Sequence, residues 1–132
     1  MPYSGDVKNN TPRRVAIADD SPEFLAAAAD HVAGLPGFVL AGTAGNVRQA
    51  LALVASSMPD VLLLDLGLAP KRGMELVQKV KAAPHAPAVV ALALFHSPET
   101  LAAAKSAGAD ALVGKETFVA SLGVALASLF PV

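Results

Sequence analysis

One apolar run constrains the fold of this chain more than any other feature of its sequence. Val61, Leu62, Leu63 and Leu64 follow a Pro-Asp turn and lead directly into Asp65. An unbroken run of branched apolar residues is typical of a strand buried on both faces of a parallel sheet. Ligands of open parallel sheets collect at the carboxyl ends of the strands, so the position of Asp65 indicates a chemical role.

The other apolar runs alternate with helical patterns. Further strands are predicted at residues 13–18, 38–42, 88–94 and 111–113. Two Ser-Pro-Glu sequences predict helix starts with Ser21 and Ser97 as N-caps. Two further helices are predicted with Asn46 and Thr117 as caps, and another after Gly73. Five strands alternating with five helices predict right-handed crossovers and an α/β fold, a doubly wound parallel sheet covered by helices on both faces.

Composition limits the classes of function. A length of 132 residues suits one domain, predicted at residues 13–132 after a polar, loose tail at 1–12 that lacks the apolar core of a signal peptide. The absence of cysteine favours a cytoplasmic location. A formal charge of -1 argues against nucleic acid binding by this chain. The uncharged stretch 117–132 is shorter than the roughly 20 apolar residues of a membrane span, so none is predicted.

Charged residues follow three of the predicted strands. Asp19 and Asp20 follow the first strand, Asp65 the third and Lys115 the fifth. Converging carboxylates would repel one another unless a cation lies among them, and such hard oxygen ligands suit Mg²⁺. A lysine beside them requires an anionic partner, which a phosphoryl group would supply. The pattern therefore predicts a carboxylate that acts as a nucleophile on phosphorus, with the metal and the lysine neutralising charge.

These residues give the chain a resemblance to the receiver domain of bacterial two-component response regulators. The resemblance covers residues 13–130 and rests on Ile17-Ala18-Asp19-Asp20, the stretch 59–66, Gly73-Met74-Glu75-Leu76, the stretch 107–113 and Lys115. It implies a flavodoxin-like sheet with strand order 2-1-3-4-5. Glu116 after the lysine is similar to receivers of helix-turn-helix regulators, which implies a link to transcription regulation.

The resemblance also implies a role for each matching residue. Asp65 would be the phosphoacceptor and would take a phosphoryl group from the phosphohistidine of a sensor histidine kinase, while Lys115 would contact the phosphoryl oxygens. Mg²⁺ would be bound by Asp20 directly, by Asp19 largely through water, by Asp65 and by the backbone carbonyl of Gly67. The domain would be a phosphoacceptor and not a turnover enzyme.

Two positions depart from the family pattern. The family usually has Ser or Thr at the end of the fourth strand, where this chain has Ala93, and an aromatic residue in the fifth strand, where it has Leu112. The usual switch therefore lacks its hydroxyl and its ring. Ser97, in the following loop, is a candidate substitute for the missing hydroxyl.

The last helix carries two apolar stripes. Phe118, Leu122, Ala125 and Leu129 form one that is predicted to face the core. A second stripe consists of Val119, Gly123, Leu126 and Phe130. It predicts contact with a second copy of the domain or with an effector domain, or else a helix that packs more deeply.

Two other functions remain open at this point. The first is a degenerate receiver that keeps the fold and acts by protein contact without phosphorylation, which Ala93 and Leu112 favour. The second is a small phosphohydrolase with an aspartyl-phosphate intermediate. The second is disfavoured because Gly67 stands where such an enzyme would carry another aspartate, and because a segment that caps the substrate is missing.

Overall fold

A computed structural model describes residues 11–131 of the chain. Its strands are β1 (Arg13–Ala18), β2 (Phe38–Ala44), β3 (Val61–Asp65), β4 (Ala88–Ala93) and β5 (Ala111–Gly114). All neighbouring strands pair in parallel, and the order β2-β1-β3-β4-β5 confirms the predicted topology. Most of the predicted tail, residues 1–10, lies outside the described residues.

Four helices connect the strands, and a fifth follows β5. They are α1 (Pro22–Ala33), α2 (Val47–Ser57), α3 (Gly73–Lys81), α4 (Pro98–Ala107) and α5 (Phe118–Leu129). The predicted N-caps of the first, second and fourth helices are confirmed, because each of the side chains of Ser21, Asn46 and Ser97 accepts a hydrogen bond from a backbone N–H three residues later. Thr117 occupies the predicted N-cap position before α5. Its side chain makes no capping hydrogen bond, since a short 3₁₀ turn, Lys115–Thr117, precedes α5.

The central strand explains how the helices divide into two layers. Every residue of β3 is buried, and alternate side chains point to opposite faces of the sheet. Leu62 and Leu64 belong to the apolar cluster under α2, α3 and α4, whereas Val61 and Leu63 belong to the cluster under α1 and α5. The sequence prediction of a strand buried on both faces is confirmed.

Three strand ends differ from their predictions, and all lie at the carboxyl edge of the sheet. β5 is one residue longer than predicted and ends at Gly114. β2 continues to Ala44, which pairs with Ala18 and accepts a backbone hydrogen bond from Asp19. β4 ends at Ala93, one residue earlier than predicted, and the next two side chains, Leu94 and Phe95, are both 70% exposed. The predicted strand was one residue too long because Leu94 is apolar, whereas the last residue of β4 that pairs with β5 is Ala93.

The last helix is seated more deeply than a surface helix with a free apolar face. Leu126, which the sequence assigned to the second stripe, is fully buried beside Leu122. Phe130 packs edge-on against Phe38 at a ring distance of 6.3 Å. Of the two alternatives for the second stripe, Leu126 and Phe130 therefore fit the helix that packs more deeply, since a step of four places Leu126 close to the face of Leu122. Val119 remains 70% exposed.

Within residues 11–131, none of the helices combines the length and the apolar character that crossing a bilayer requires.

Candidate functional site

Parallel pairing brings the predicted charged residues to one edge of the sheet. Asp19 follows β1, Asp65 is the last residue of β3 and Lys115 follows β5. Carboxylate oxygens of Asp19, Asp20 and Asp65 all lie within 4.8 Å of one another. Asp19 and Asp65 are buried, whereas Asp20 is exposed. The result is an acidic cluster with two desolvated members and one that faces solvent.

Asp19 is fixed by contacts on both of its carboxylate oxygens. Its Oδ1 accepts a hydrogen bond from the backbone N–H of Ser21 at 2.9 Å, at the entry to α1. Its Oδ2 lies 2.5 Å from the Lys115 Nζ, which is close enough for a strong ion pair. That oxygen nevertheless accepts no hydrogen bond of ordinary geometry. A buried carboxylate oxygen satisfied only by this ion pair has remaining capacity for a ligand.

Asp65 is held by the chain that follows it. Its Oδ1 accepts a hydrogen bond from the backbone N–H of Gly67 at 3.0 Å and lies 3.5 Å from the Lys115 Nζ. Burial raises the pKa of the Asp65 carboxyl; the Gly67 hydrogen bond lowers it, the Asp19 carboxylate raises it and Lys115 lowers it. The net direction is upward, so burial of the ionised form outweighs the favourable contacts.

Lys115 joins the two buried carboxylates. Its side chain is only 16% exposed, and its ammonium nitrogen also lies 4.7 Å from the centre of the Phe24 ring. The sequence analysis did not assign Phe24 to the site. Its position in the first turn of α1, five residues after Asp19, is the signal that could have identified it.

The two atypical positions lie on neighbouring strands. Ala93 is the last residue of β4 and pairs with Gly114, while Leu112 pairs with Ala91 and is 7% exposed. The Ser97 hydroxyl is engaged elsewhere: it caps α4 and hydrogen-bonds Thr100 Oγ1 at 2.9 Å. Ser97 is therefore not placed to replace the missing hydroxyl in this structure.

The acidic cluster fits a small divalent cation. Mg²⁺ prefers carboxylate oxygens and retains several waters, and the cluster combines one exposed carboxylate, Asp20, with the partly unsatisfied Asp19. Gly67 lies in the 3₁₀ turn Leu66–Leu68, directly after Asp65. The donor set is of the type that holds a metal through a few protein ligands.

A parallel sheet with helices on both faces and a polar cluster at its carboxyl edge is typical of doubly wound α/β domains, which bind ligands at that edge. Comparison with protein families identifies this one: the response regulator receiver domain matches residues 15–126. The chain therefore belongs to the response regulator receiver domain family, as its sequence motifs predicted.

Individual relatives agree with this assignment. The nitrate/nitrite response regulator protein NarL of Escherichia coli K12 is 26% identical over 110 residues, which cover 83% of this chain and 51% of NarL. The chain thus spans about half the length of that relative. In fold, it is similar to the receiver domain of the putative response regulator NarL from Mycobacterium tuberculosis, with a TM-score of 0.80, 22% identity and coverage of 90% of this chain and 96% of the other.

A further solved structure is the complex of the P1 domain of CheA3 with CheY6 from R. sphaeroides. One of its chains is 27% identical to this protein, with a TM-score of 0.78 and coverage of 92% of this chain and 99% of that chain.

Proposed function

We propose that this chain is the phosphoacceptor domain of a two-component system and that Asp65 receives the phosphoryl group. The observation that carries the proposal is the position of Asp65 at the end of β3, with the Lys115 Nζ 3.5 Å from its Oδ1 and two further carboxylates beside it. The donor would be the phosphohistidine of a sensor histidine kinase. The transfer forms a phosphorus–oxygen bond to Asp65 and breaks the phosphorus–nitrogen bond, whose electron pair stays on the imidazole.

The residues around Asp65 fit the charge changes in this transfer. Lys115 is already close to Asp65 and would contact the oxygens of the new phosphoryl group, where its positive charge offsets their negative charge. The Gly67 N–H fixes the orientation of the carboxylate before the transfer. Such preorganised charge lowers the barrier because it need not be rearranged during the reaction.

Mg²⁺ is the cofactor of the proposal. Asp20 and Asp65 would bind it directly, Asp19 largely through water, and the backbone carbonyl of Gly67 would complete the protein ligands. When bound, the metal supplies positive charge that balances the three carboxylates and the phosphoryl oxygens. The exposure of Asp20 supports this role, because a ligand at the solvent edge allows the ion to keep some of its waters.

Known relatives support the choice of partners. The complex of CheA3 P1 with CheY6 is a precedent for contact between a domain of this fold and a kinase-associated domain. The similarity to NarL supports a role in transcription regulation from the cytoplasm. Phosphorylation would then change contacts with a second copy of the domain or with an effector domain.

A degenerate receiver is the second candidate. Ala93 and Leu112 favour it, because they remove the hydroxyl and the ring through which receivers usually report phosphorylation. In that case the domain would act by protein contact alone.

Intact-mass measurement after incubation with acetyl phosphate and Mg²⁺ separates the two candidates. The proposal expects one phosphoryl adduct on the wild-type protein and none on Asp65→Asn. Asp60→Asn is the matched control, since Asp60 precedes the same strand at the opposite edge of the sheet and should leave the adduct intact. Absence of an adduct on the wild type with acetyl phosphate and with phosphoramidate would favour the degenerate receiver.

A further inference from the structure

The Lys115 ammonium rests on an aromatic ring as well as between carboxylates. It lies 4.7 Å from the centre of the Phe24 ring, and the lysine side chain is 16% exposed. A cation over a ring face is attracted more strongly where water is excluded. The Phe24 ring therefore contributes to where the ammonium rests, together with Asp19 at 2.5 Å and Asp65 at 3.5 Å.

Phe24 is itself held firmly. Its backbone N–H donates to the Ser21 hydroxyl at 3.2 Å, which places it in the capped first turn of α1. Its ring meets the ring of Phe118 at an angle of 72° and a centre distance of 5.1 Å, the edge-to-face arrangement that aromatic pairs prefer. Phe118 is the first residue of α5 and is 6% exposed. The two rings are in contact, so a displacement of one changes the packing of the other.

A third ring extends the contact along the seam between α1 and α5. The ring of His31, near the end of α1, lies 5.7 Å from that of Phe118 at an angle of 63°. The His31 Nε2 is buried and forms no hydrogen bond among the described residues. This ring is thus positioned by its aromatic contact with Phe118, which makes it responsive to a displacement of Phe118.

We propose that Phe24 is a positioning residue for Lys115 and that the rings of Phe24, Phe118 and His31 carry a change at the site to the seam between α1 and α5. The proposal rests on the proposed function of Asp65. A phosphoryl group adds negative charge on the Asp65 side of the ammonium, so Lys115 is drawn away from Asp19 and across the Phe24 ring. The ring then shifts against Phe118. This route needs neither a hydroxyl at position 93 nor a ring at position 112.

The resting position of Lys115 can be tested without phosphorylation. The face of a ring shields protons above it, so the Lys115 Hε resonances should lie upfield in the wild-type protein. Phe24→Leu should remove that displacement, and Phe24→Tyr should restore it. Phe38→Leu is the matched control. Phe38 forms a similar edge-to-face pair with Phe130 at 6.3 Å, and it is the first residue of β2, at the end of the strand away from the site. Wild-type Hε resonances without an upfield displacement, or their retention in Phe24→Leu, would overturn the positioning role.

The coupling is tested with acetyl phosphate and Mg²⁺. Phe24→Leu should slow formation of the adduct about three- to thirtyfold, the factor that loss of one cation–π contact implies, while Phe24→Tyr and Phe38→Leu remain near the wild type. In the wild type, the His31 ring resonances should shift when the adduct forms, and in the phosphorylated Phe24→Leu protein that shift should be lost. An undiminished His31 shift in this variant overturns the coupling.

The outcomes separate this inference from the proposed function. If the wild type forms no adduct, the proposed function and the coupling both fail, whereas the Hε resonances still decide whether Phe24 positions Lys115. If Phe24→Leu does not fold, as judged by circular dichroism, Phe24→Met replaces it, since Met keeps an apolar side chain and lacks a ring. An adduct that forms at the wild-type rate in the ringless variant overturns the role of the ring in the reaction.

Discussion

The Lys115 ammonium nitrogen lies 2.5 Å from Oδ2 of Asp19, a carboxylate with no exposed surface. Asp65 is farther from the same nitrogen, at 3.5 Å. In the unmodified protein the lysine is therefore bound mainly to Asp19, which would hold the metal largely through water, and less closely to Asp65, which would accept phosphate. The site keeps its cation displaced from the reacting carboxylate.

Removal of the lysine charge should destabilise the protein. Lys115→Met leaves Asp19 buried without its cation, and we expect the free energy of unfolding without Mg²⁺ to fall by about 1–3 kcal/mol, less than for a fully buried pair because Lys115 retains some exposure. Urea unfolding measures the change. Lys79→Met, on the exposed face of α3, is the control. Adding Asp19→Asn to Lys115→Met should restore part of the loss, and a double variant no more stable than Lys115→Met would contradict the explanation.

Neutralising Asp65 should stabilise the protein when metal is absent. Burial raises its pKa in the folded state, so between the unfolded and folded pKa values the folded protein holds more protons and stability falls as pH rises. With a folded pKa below neutrality, Asp65 is ionised at pH 7 in both the folded and the unfolded protein. Its buried charge then lowers the free energy of unfolding. Asp65→Asn should consequently unfold at higher urea concentration than the wild type at pH 7 in EDTA.

The pH dependence provides the check on this explanation. The advantage of Asp65→Asn should shrink as pH is lowered through the folded pKa of Asp65 towards 3.8, the ordinary pKa of an aspartate, because the wild-type carboxyl then becomes neutral as well. An advantage that is constant with pH, or a variant less stable than the wild type at pH 7, would show that charge burial is not the cause.

Mg²⁺ should stabilise the wild-type protein by binding only its folded state. At 100 times the dissociation constant the gain is about 2.7 kcal/mol, which thermal unfolding with and without EDTA would detect. Asp20→Asn should weaken the binding of Mg²⁺ by about tenfold or more. Asp30→Asn makes the same charge change at an exposed position of α1 and should leave binding unaltered. Equal weakening by both variants would indicate general electrostatics and not a ligand.

Gly73 should resist substitution because of the turn that follows Asp65. A Cβ atom at this position would lie 2.4 Å from the backbone oxygen of Leu66, so Gly73→Ala must displace that turn. We expect a loss of about 1–3 kcal/mol in the free energy of unfolding and slower phosphorylation of Asp65. Gly123→Ala is the control: it has open space on α5 and should be neutral or stabilising by up to about 1 kcal/mol. Comparable destabilisation in both variants would contradict the steric argument.

Much of this fold was predictable because its signals are local. Apolar runs such as residues 61–64 must be buried. Ser21 and Ser97 fix the starts of their helices, because each side chain accepts a hydrogen bond from the backbone N–H three residues later. Parallel pairing then brings strand ends together, so the proximity of Asp19 and Asp65 follows from topology.

What could not be predicted depends on packing between distant elements. A helix as uniformly apolar as α5 has no polar face to fix its rotation, so the burial of Leu126 is set by its fit against the sheet. The contact between Lys115 and Phe24 arises from the position of α1 relative to the end of β5. The place of Phe24 in the first turn of α1 brings it near the site, but the local sequence does not specify which group its ring contacts.

The sheet order gives the Lys115–Asp19 ion pair a mechanical consequence. β5 is an edge strand, and β1 lies three places across the sheet from it, so this one contact fastens an outer strand to the interior of the carboxyl edge. Edge strands open locally at lower free energy than central ones. If the lysine moves to a phosphoryl group on Asp65, its ion pair joins β5 to β3, which is one strand nearer to β5 than β1 is. The opening free energy of β5, and with it the hydrogen exchange of its amides, would then depend on the chemical state of a residue two strands away.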